Sequence, residues 1–375
     1  MIRLYIFTLL LPIALFSESS LTSNVPLPKT DVQNLDPTVV ENTNVEYSSA
    51  LEAKPASSDT KLRIALLIPY NKIGRYAAST TNASFAYLMS KNRPFELKSY
   101  KIEDESYDEI FKTLKKIQAD GFSYIIAPLT QSGEKIVSKI NPQINIYFPT
   151  INKKDTQTTS KYLYYGGIDY RAQSDLLLKE SVSPLVIFYD KSEIGEQLSN
   201  YQEYKFKQDN ATTRNNVVKF SIPQQITSLE DQLKDNKRIA GGSFFVNTPI
   251  VKSGLIMSQL TLYNTNATNV LSTQTNYNPL LLSMTQYQDR KNMIIANSIT
   301  QNNDELIETN SLLGNDIVYE WINYTTTVGI DYFSYIISGA KREYNIENVN
   351  NQMIYPIVLL QPSVSRFIPY KSTAN

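Results

Sequence analysis

Hydrophobic positions along the chain fall into short apolar runs that alternate with stretches of helical spacing. The strongest run, IALLIPY at 64–70, is continuously apolar, as in a strand that is buried on both faces. A helical pattern follows at 77–90, and residues 95–102 alternate as a second strand. Further apolar runs predict strands at 123–129, 145–150, 162–166, 184–190, 217–222, 242–246, 270–273, 293–296 and 355–360.

Strands that alternate with helices along the chain predict an α/β fold with mainly parallel sheets and right-handed crossovers. The strands are too many for one sheet, so we expect two lobes joined by several hinge crossovers. The region 304–344 reads as helical in pieces, with breaks expected near Gly314 and Gly329. The predicted division is 61–165 plus about 295–345 for the first lobe, and 166–294 plus about 346–375 for the second.

The N-terminus has the pattern of an export signal. In residues 1–17, MIRLYIFTLLLPIALFS, Arg3 precedes an apolar segment that is too short for a comfortable membrane span. Cleavage after Ser17 or Ser19 would leave a small residue at the end of the signal, and an uncleaved anchor is the alternative. Residues 18–60 are polar and acidic without an apolar period, which predicts a disordered linker or interaction arm. Nothing later in the chain predicts a membrane span.

Two absences from the composition exclude several classes of function. The 375 residues contain no cysteine and no histidine. Disulfides, thiolate nucleophiles, a lipid-anchored N-terminal Cys and the Ser–His–Asp arrangement are therefore excluded. The chain has neither a strict G-x-G-x-x-G fingerprint nor a phosphate-binding G-x-x-x-x-G-K-[ST] loop. We expect no cofactor, no metal site and no catalytic residues.

Charged residues are divided unevenly between the arm and the body. The whole chain has 36 basic and 36 acidic residues. Two of the basic and seven of the acidic residues lie in the arm at 18–60, and one further basic residue lies in the segment 1–17. The arm therefore has a net charge of −5, and the body from residue 61 has a net charge of +4. A positive charge of this size is too small to predict nucleic-acid binding. The acidic cluster Asp104, Glu105, Asp108 and Glu109 is typical of a helix N-terminus, where the helix dipole favours acids.

Several segments resemble type I periplasmic binding proteins. They are IALLIPYNKIGRYAASTTNASFAYL at 64–88, SYIIAPLTQSGEKIVSKI at 123–140, INIYFPTIN at 144–152, SPLVIFYDKSEIGEQLSNYQEYKF at 183–206 and GGSFFVNTPIVKSGLIMSQL at 241–260. The start at 64–77 and the segment 269–299 are similar to the branch of penicillin-binding-protein activators of the LpoA and LppC type. The resemblance implies a two-lobed fold in which each lobe is a mainly parallel sheet flanked by helices.

The resemblance implies first-lobe ligand groups after the third and fourth strands. Thr130, Gln131 and Ser132 lie in the loop before a helix, whose N–H groups could hold a carboxylate. Ser132 is equally explained as the cap of that helix. Thr150 and Asn152 follow the fourth strand, where the family binds polar groups, and ordinary turn chemistry is the alternative.

The remaining candidate ligand groups lie near the first strand, the hinge and the second lobe. Tyr70 and Arg75 follow the first strand, and Arg75 could pair with a ligand carboxylate or remain a solvated surface residue. Tyr165 belongs to a tyrosine cluster near the expected hinge, where a ring could stack on a ligand or simply pack in a strand. Asp190 ends a second-lobe strand, and relatives that bind amino acids use an acid in this lobe against the ligand's amine.

These features predict a non-catalytic protein exported to the periplasm of a Gram-negative bacterium, and not a lipoprotein. The favoured function is an envelope regulator or scaffold, as in penicillin-binding-protein activators, with an envelope protein such as a peptidoglycan synthase as its partner. The alternative is a solute receptor for an ABC-type permease, which would bind an amino acid or another small polar ligand between the lobes.

Overall fold

The computed structural model describes residues 61–209, 216–225 and 228–371. The predicted signal at 1–17 and the predicted linker at 18–60 lie outside these residues. Two seven-stranded sheets form the framework. The first contains β1 (Leu62–Pro69), β2 (Phe95–Ile102), β3 (Tyr124–Ile126), β4 (Asn145–Phe148), β5 (Leu163–Tyr165), β11 (Glu347–Val349) and β12 (Gln352–Ile354). The second contains β6 (Leu185–Asp190), β7 (Val217–Ile222), β8 (Gly242–Asn247), β9 (Ala267–Ser272), β10 (Met293–Asn297), β13 (Val358–Pro362) and β14 (Phe367–Pro369).

Helices flank both sheets. They are α1 (Tyr70–Ile73), α2 (Arg75–Ser90), α3 (Tyr107–Ala119), α4 (Gln131–Ile140), α5 (Tyr170–Leu178), α6 (Glu193–Asp209), α7 (Glu230–Leu233), α8 (Ile250–Leu262), α9 (Pro279–Met284), α10 (Tyr287–Arg290), α11 (Asp304–Leu312) and α12 (Trp321–Ser338). Short 3-10 turns lie at Lys153–Asp155 and Gln274–Asn276. The predicted alternation of strands and helices is confirmed.

The two sheets share one topology. The first has the order β2-β1-β3-β4-β5 and the second β7-β6-β8-β9-β10, and these neighbours are all parallel. Each sheet is then extended beyond its fifth strand, by β12 and β11 in the first and by β13 and β14 in the second. The chain passes between the sheets after β5, after β10 and after β12, so the lobes are joined by three crossovers.

The C-terminal strands are divided differently from the predicted boundary near residue 346. The antiparallel pair β11 and β12 belongs to the first sheet, and only β13 and β14 join the second. The turn of this pair is Asn350-Asn351, and both residues have positive φ, at 50° and 66°. Asparagine tolerates this conformation, so the turn forms without glycine. The strands are short and polar, which is why the apolar pattern detected only the run that follows them.

Helix α12 is continuous through Gly329, where a break was expected. The aromatic ring of Tyr147, on β4, lies against this position: a Cβ at residue 329 would be 2.7 Å from Tyr147 Cζ and closer still to two other ring carbons. Glycine is therefore present because a strand side chain approaches the helix, not because the helix ends. The sequence pattern could not separate these two causes.

A buried cluster of hydroxyl groups ties α12 to the crossovers. Thr325 Oγ1 lies 2.8 Å from Tyr147 Oη and 3.0 Å from Tyr355 Oη, and it donates to the carbonyl of Gly166 at 2.9 Å. Gly166 lies on the first crossover and Tyr355 on the third. We call Tyr147, Thr325 and Tyr355 the hinge hydroxyl cluster. It joins both crossovers to the core of the first lobe.

Candidate functional site

The N-terminus of α4 forms a carboxylate site after the third strand. Thr130 is the cap residue of this helix, and its side-chain oxygen accepts a long hydrogen bond from Gly133 N at 3.4 Å. Its N–H and its hydroxyl both donate to one carboxylate, that of Glu105, and the N–H bond measures 2.7 Å. N–H groups at a helix N-terminus favour an anion. In this structure the two donors of Thr130, a predicted ligand residue, are therefore engaged by a carboxylate of the chain itself.

Glu105 is seated closely on the helix. It is only 7% exposed, and a Cβ at Gly133 would lie 2.8 Å from its carboxyl carbon. Gly133 thus provides the space into which the carboxylate fits. The sequence placed Glu105 among the acids at the N-terminus of the preceding helix, but it reaches α4 instead. The glycine at the third position of α4 is the one sequence signal that could have indicated a group packed there.

The three candidates in the loop before α4 have different surroundings. Gln131 is buried, and its amide donates to the carbonyl of Asp155 at 2.7 Å, across to the segment after β4. Ser132 is exposed and does not cap the helix, since the cap position belongs to Thr130. Thr130 and Gln131 are therefore held by the chain's own groups, and Ser132 faces solvent.

The candidates after β4 belong to a turn. Asn152 is buried, accepts a hydrogen bond from Lys154 N at 3.0 Å and donates to the carbonyl of Gly167 at 3.1 Å. Its amide therefore joins the turn after β4 to the first crossover. Thr150 lies half-buried at the start of the same turn. For Asn152, the alternative of turn chemistry describes the observed contacts.

Tyr165 is a core residue rather than a stacking surface. Its side chain is fully buried, its ring stacks on Phe148 with 5.4 Å between centroids, and its hydroxyl donates to Glu134 at 2.8 Å. Burial, and then the neighbouring Glu134 charge, raise the pKa of the Tyr165 hydroxyl well above its ordinary value. The ring has no free face on which a ligand could lie.

Tyr70 and Arg75 are exposed at the end of β1. Tyr70 is 54% exposed, and the ammonium of Lys101 lies 5.2 Å from its ring centroid. The guanidinium of Arg75 lies 5.2 Å from the ring centroid of Tyr76, and a hydrogen bond to Tyr76 raises its pKa. Burial raises the pKa of the nearby Glu320 carboxyl. These two candidates remain accessible, in contrast to Thr130 and Asn152.

In the second lobe, Asp190 ends β6 and is held by its own surroundings. Its carboxylate accepts hydrogen bonds from the N–H of Ser192 at 3.2 Å and from the Ser192 hydroxyl. Lys252 Nζ lies 3.5 Å from the other carboxylate oxygen, and Asp190 is 6% exposed. The charge that could have met a ligand's amine is therefore already paired with an ammonium.

Buried amides, which sequence reasoning missed, occupy other strand ends of the second lobe. Asn247 and Gln202 exchange two hydrogen bonds, of 2.7 and 3.3 Å. Gln173 donates to Ser298 at 2.9 Å, and its side-chain carbonyl accepts from Gln274 N at 3.0 Å. These partners are far apart in sequence, and isolated glutamines in a polar chain carry no signal that could have grouped them.

A polar groove runs beside α4. It has a volume of about 900 Å³ and lies between that helix and residues 154–162, with Gln131 at one end and Asn141 and Gln143 at the other. Glu134 lies in its floor, is 1% exposed, and accepts hydrogen bonds from Ser138 and Tyr165. Among residues 61–209, 216–225 and 228–371, no group of three acidic side chains could hold a metal ion, and no helix is long and apolar enough to cross a bilayer.

The fold is shared with solved binding proteins and with a regulator. The leucine-binding protein LivK from Thermotoga maritima is 13% identical, with a TM-score of 0.57, over 83% of this chain and 98% of that one. LivJ from Streptococcus pneumoniae, solved with isoleucine, is 8% identical, with a TM-score of 0.56, over 82% and 97% of the two chains. Full-length LpoA from Haemophilus influenzae is 11% identical, with a TM-score of 0.56, over 85% of this chain and 60% of LpoA.

No protein-family model and no curated protein sequence matches the chain. The similar structures nevertheless show that the chain has the two-lobed type I periplasmic-binding fold, as predicted. They include solute-binding proteins of ABC transporters, and LpoA.

Proposed function

We propose that this protein is a non-catalytic regulator or scaffold of the cell envelope that uses the type I periplasmic-binding fold, in the manner of penicillin-binding-protein activators. The observation that supports this function is Glu105 at the N-terminus of α4. A receptor that bound a ligand carboxylate at Thr130 would need these two donors to be free, whereas a scaffold would not. Their use by Glu105 therefore supports the scaffold.

Displacement of Glu105 by a free solute would be unfavourable. A tethered carboxylate competes at a high effective concentration, and the displaced group would leave a buried position that it fills closely. In the second lobe, an amine would have to compete with Lys252 for Asp190. Both charged ends of an amino acid would therefore meet groups that already have partners.

The proposal includes a location and a partner. The protein would be exported to the periplasm, without a lipid anchor because the chain has no cysteine, and would bind an envelope protein such as a peptidoglycan synthase. The acidic segment 18–60 is the region that we expect to reach this partner. The similarity to full-length LpoA over 85% of this chain supports the regulator class.

A second candidate function is a solute receptor for an ABC-type permease, which would bind a small polar ligand between the lobes. The observation in its favour is the similarity to LivK and LivJ, which extends over 98% and 97% of those chains. The exposed Tyr70, Arg75 and Ser132 would then be predicted ligand residues that remain available.

A thermal-shift screen separates these functions. We expect no stabilisation of the purified protein by amino acids, short peptides or sugars. A ligand at one hundred times its dissociation constant would stabilise the fold by roughly 2.7 kcal/mol, so binding would be obvious. A reproducible shift with one metabolite, abolished in Arg75→Ala, would contradict the scaffold function and favour the receptor.

Crosslinking in cells tests the scaffold directly. We expect the full chain to recover an envelope protein, and deletion of residues 18–60 to lose it while the body stays folded. The matched control replaces the seven acids of that segment with their amides, which keeps its length and removes its charge. Recovery of an ABC permease, or of no protein other than this chain, would contradict the proposal.

A further inference from the structure

We infer that the groove beside α4 is a binding site for an acidic polysaccharide, that is, a sugar chain that carries carboxylates. This inference does not depend on the identity of the envelope partner. The groove follows α4 from Gln131 to Asn141 and is bounded on its other side by residues 154–162. Ten helical residues span about 15 Å, so the groove suits an extended ligand.

The lining of the groove is composed of hydrogen-bonding groups. No aliphatic side chain contributes to it, and Tyr162 is its one aromatic residue. Pockets for drug-like molecules and for the anchor residues of peptides are mostly apolar, so this groove fits neither class. Hydroxyl and amide side chains along an open groove are instead matched to a ligand that presents many hydroxyl groups.

Several of these groups are available to a ligand. The side chains of Asn141, Gln143, Gln157 and Thr159 make no hydrogen bond to any other residue in the part of the chain that the structure describes. Other lining hydroxyls shape the wall: Thr156, for example, donates to the carbonyl of Lys153 at 2.9 Å. Part of the groove wall is therefore held by internal hydrogen bonds, whereas the polar ends of other lining side chains are available to a ligand.

The charges that face the groove indicate an anionic ligand. Lys135 on α4 and Lys161 on the opposite wall have no acidic partner within the described residues. The two acids of the groove are engaged, since Glu134 is buried beneath Ser138 and Tyr165, and Asp155 lies 3.6 Å from Arg171. The ammonium of Lys161 lies over the ring of Tyr162, 5.2 Å from its centroid, at the groove's edge. Two ammonium groups without acidic partners, on opposite walls, suit carboxylates spaced along a chain.

The test is calorimetric titration of the purified full chain with oligogalacturonate, a carboxylated sugar chain. Neutral malto-oligosaccharide and poly-glutamate of similar length are the comparison ligands. We expect oligogalacturonate to bind, malto-oligosaccharide to bind at least several-fold more weakly, and binding to weaken with added salt. Equal affinity for the neutral sugar, tighter binding of poly-glutamate, or no binding at all would overturn the inference.

Variants locate the site. Lys135→Met and Lys161→Met should each weaken binding about two- to five-fold, as is usual for an exposed charge, and the pair should weaken it about ten-fold. Lys139→Met is the matched control, because Lys139 is on the same helix but lies over the ring of Tyr107, 5.7 Å from its centroid, and not in the groove. A loss with Lys139→Met as large as that with Lys135→Met would mean that net charge, and not the groove, holds the sugar.

Discussion

The two lobes have the same order of parallel strands, but they satisfy the polar groups at the strand ends in different ways. The first lobe uses carboxylates: Glu105 accepts hydrogen bonds at the start of α4, and Glu134 accepts from Tyr165. The second lobe uses neutral amides at several of its strand ends, as in the pair Asn247 and Gln202, and the carboxylate of Asp190 at one of them. Topology alone therefore does not determine the chemistry at the strand ends, and the first lobe depends more on each individual contact.

A second difference concerns tyrosine. The first lobe and α12 bury the rings of Tyr147, Tyr164 and Tyr324, and the hinge hydroxyl cluster lies among them. The second lobe has fewer buried tyrosines, with Tyr201 and Tyr277 half-buried or more and carrying raised pKa values. We therefore expect the stability of the first lobe to fall more than that of the second at alkaline pH, when a buried side chain is enlarged, and when a buried charge is removed.

The largest expected effect is the alkaline instability of the first lobe. Burial raises the pKa values of Tyr147, Tyr164 and Tyr324 to about 12 each. Unfolded tyrosine has a pKa of about 10. Below pH 10 both states keep the proton and stability is complete. Between about pH 10 and 12 the unfolded state releases protons that the folded state retains, so stability falls by roughly 1.4 kcal/mol per unit for each group.

Amide hydrogen exchange, measured at increasing pH and corrected for the intrinsic exchange rate, tests whether the first lobe loses stability before the second. We expect protection in β1 and β4 to be lost at lower pH than protection in β8 and β9. The variant Tyr164→Phe removes one titrating group whose hydroxyl makes no hydrogen bond within the described residues, and it should move the first-lobe midpoint to higher pH. Loss of protection in both lobes together would show that they unfold as one unit, and the comparison between them would fail.

The next effect tests the contact between α12 and β4. Alanine favours a helix interior over glycine by about 1 kcal/mol, so propensity alone predicts that Gly329→Ala stabilises the protein. The approach of the Tyr147 ring reverses this sign, and we expect a loss of about 3 kcal/mol from overpacking. Gly254→Ala in α8 is the second-lobe control, where the new Cβ would lie 3.3 Å from Thr285 Cγ2. Urea denaturation measures both, and equal effects would contradict the comparison.

The parallel strands of both lobes could be predicted because strands buried on both faces are continuously apolar, as β1 and β6 are. The hairpin of β11 and β12 could not, because it is short and polar and depends on pairing with β5, far away in sequence. Periodicity reports which side of an element is buried. It does not report which distant residue supplies the contact.

The candidate site illustrates the same limit. The loop that begins with Thr130 was predicted to hold a ligand carboxylate, and in the structure Thr130 donates to the carboxylate of Glu105. That the carboxylate belongs to Glu105 depends on how the loop between β2 and α3 folds over α4, for which the sequence has no local signal. The residue types predicted which chemical group could bind at this position. Only the three-dimensional structure shows which side chain contacts it.

A smaller effect is expected from removal of the internal carboxylate. Glu105→Ala leaves the half-buried N–H and hydroxyl of Thr130 without their acceptor. A fully buried unsatisfied donor costs about 1–3 kcal/mol, so we expect a cost of about 1 kcal/mol here. The exposed neighbour Glu103→Ala, in the same loop, should change stability by less than about 0.5 kcal/mol. Thermal denaturation of the two variants measures the difference. If both behave alike, the carboxylate does not hold α4 in solution.

The smallest effect concerns threonine hydroxyls at the starts of two helices at matching places in the two lobes: Thr130, the cap of α4 after β3, and Thr248, which precedes the cap residue Pro249 of α8 after β8. Thr130→Ala removes a cap and one donor to Glu105, and should cost about 1 kcal/mol. In the second lobe, Thr248→Ala should cost only a few tenths of that, because the hydroxyl of Ser253 can still donate to the carbonyl of residue 248 at 2.9 Å.

Ser132→Ala is the control within α4. It removes the exposed hydroxyl of the second residue of that helix, and the stability of the variant should be within about 0.5 kcal/mol of the parent. Urea midpoints at constant slope rank the three variants, and a cost for Ser132→Ala above that for Thr130→Ala would return the cap to Ser132. It would also mean that the Thr130 hydroxyl contributes little at this helix start, and the contrast with Thr248 in the second lobe would fail.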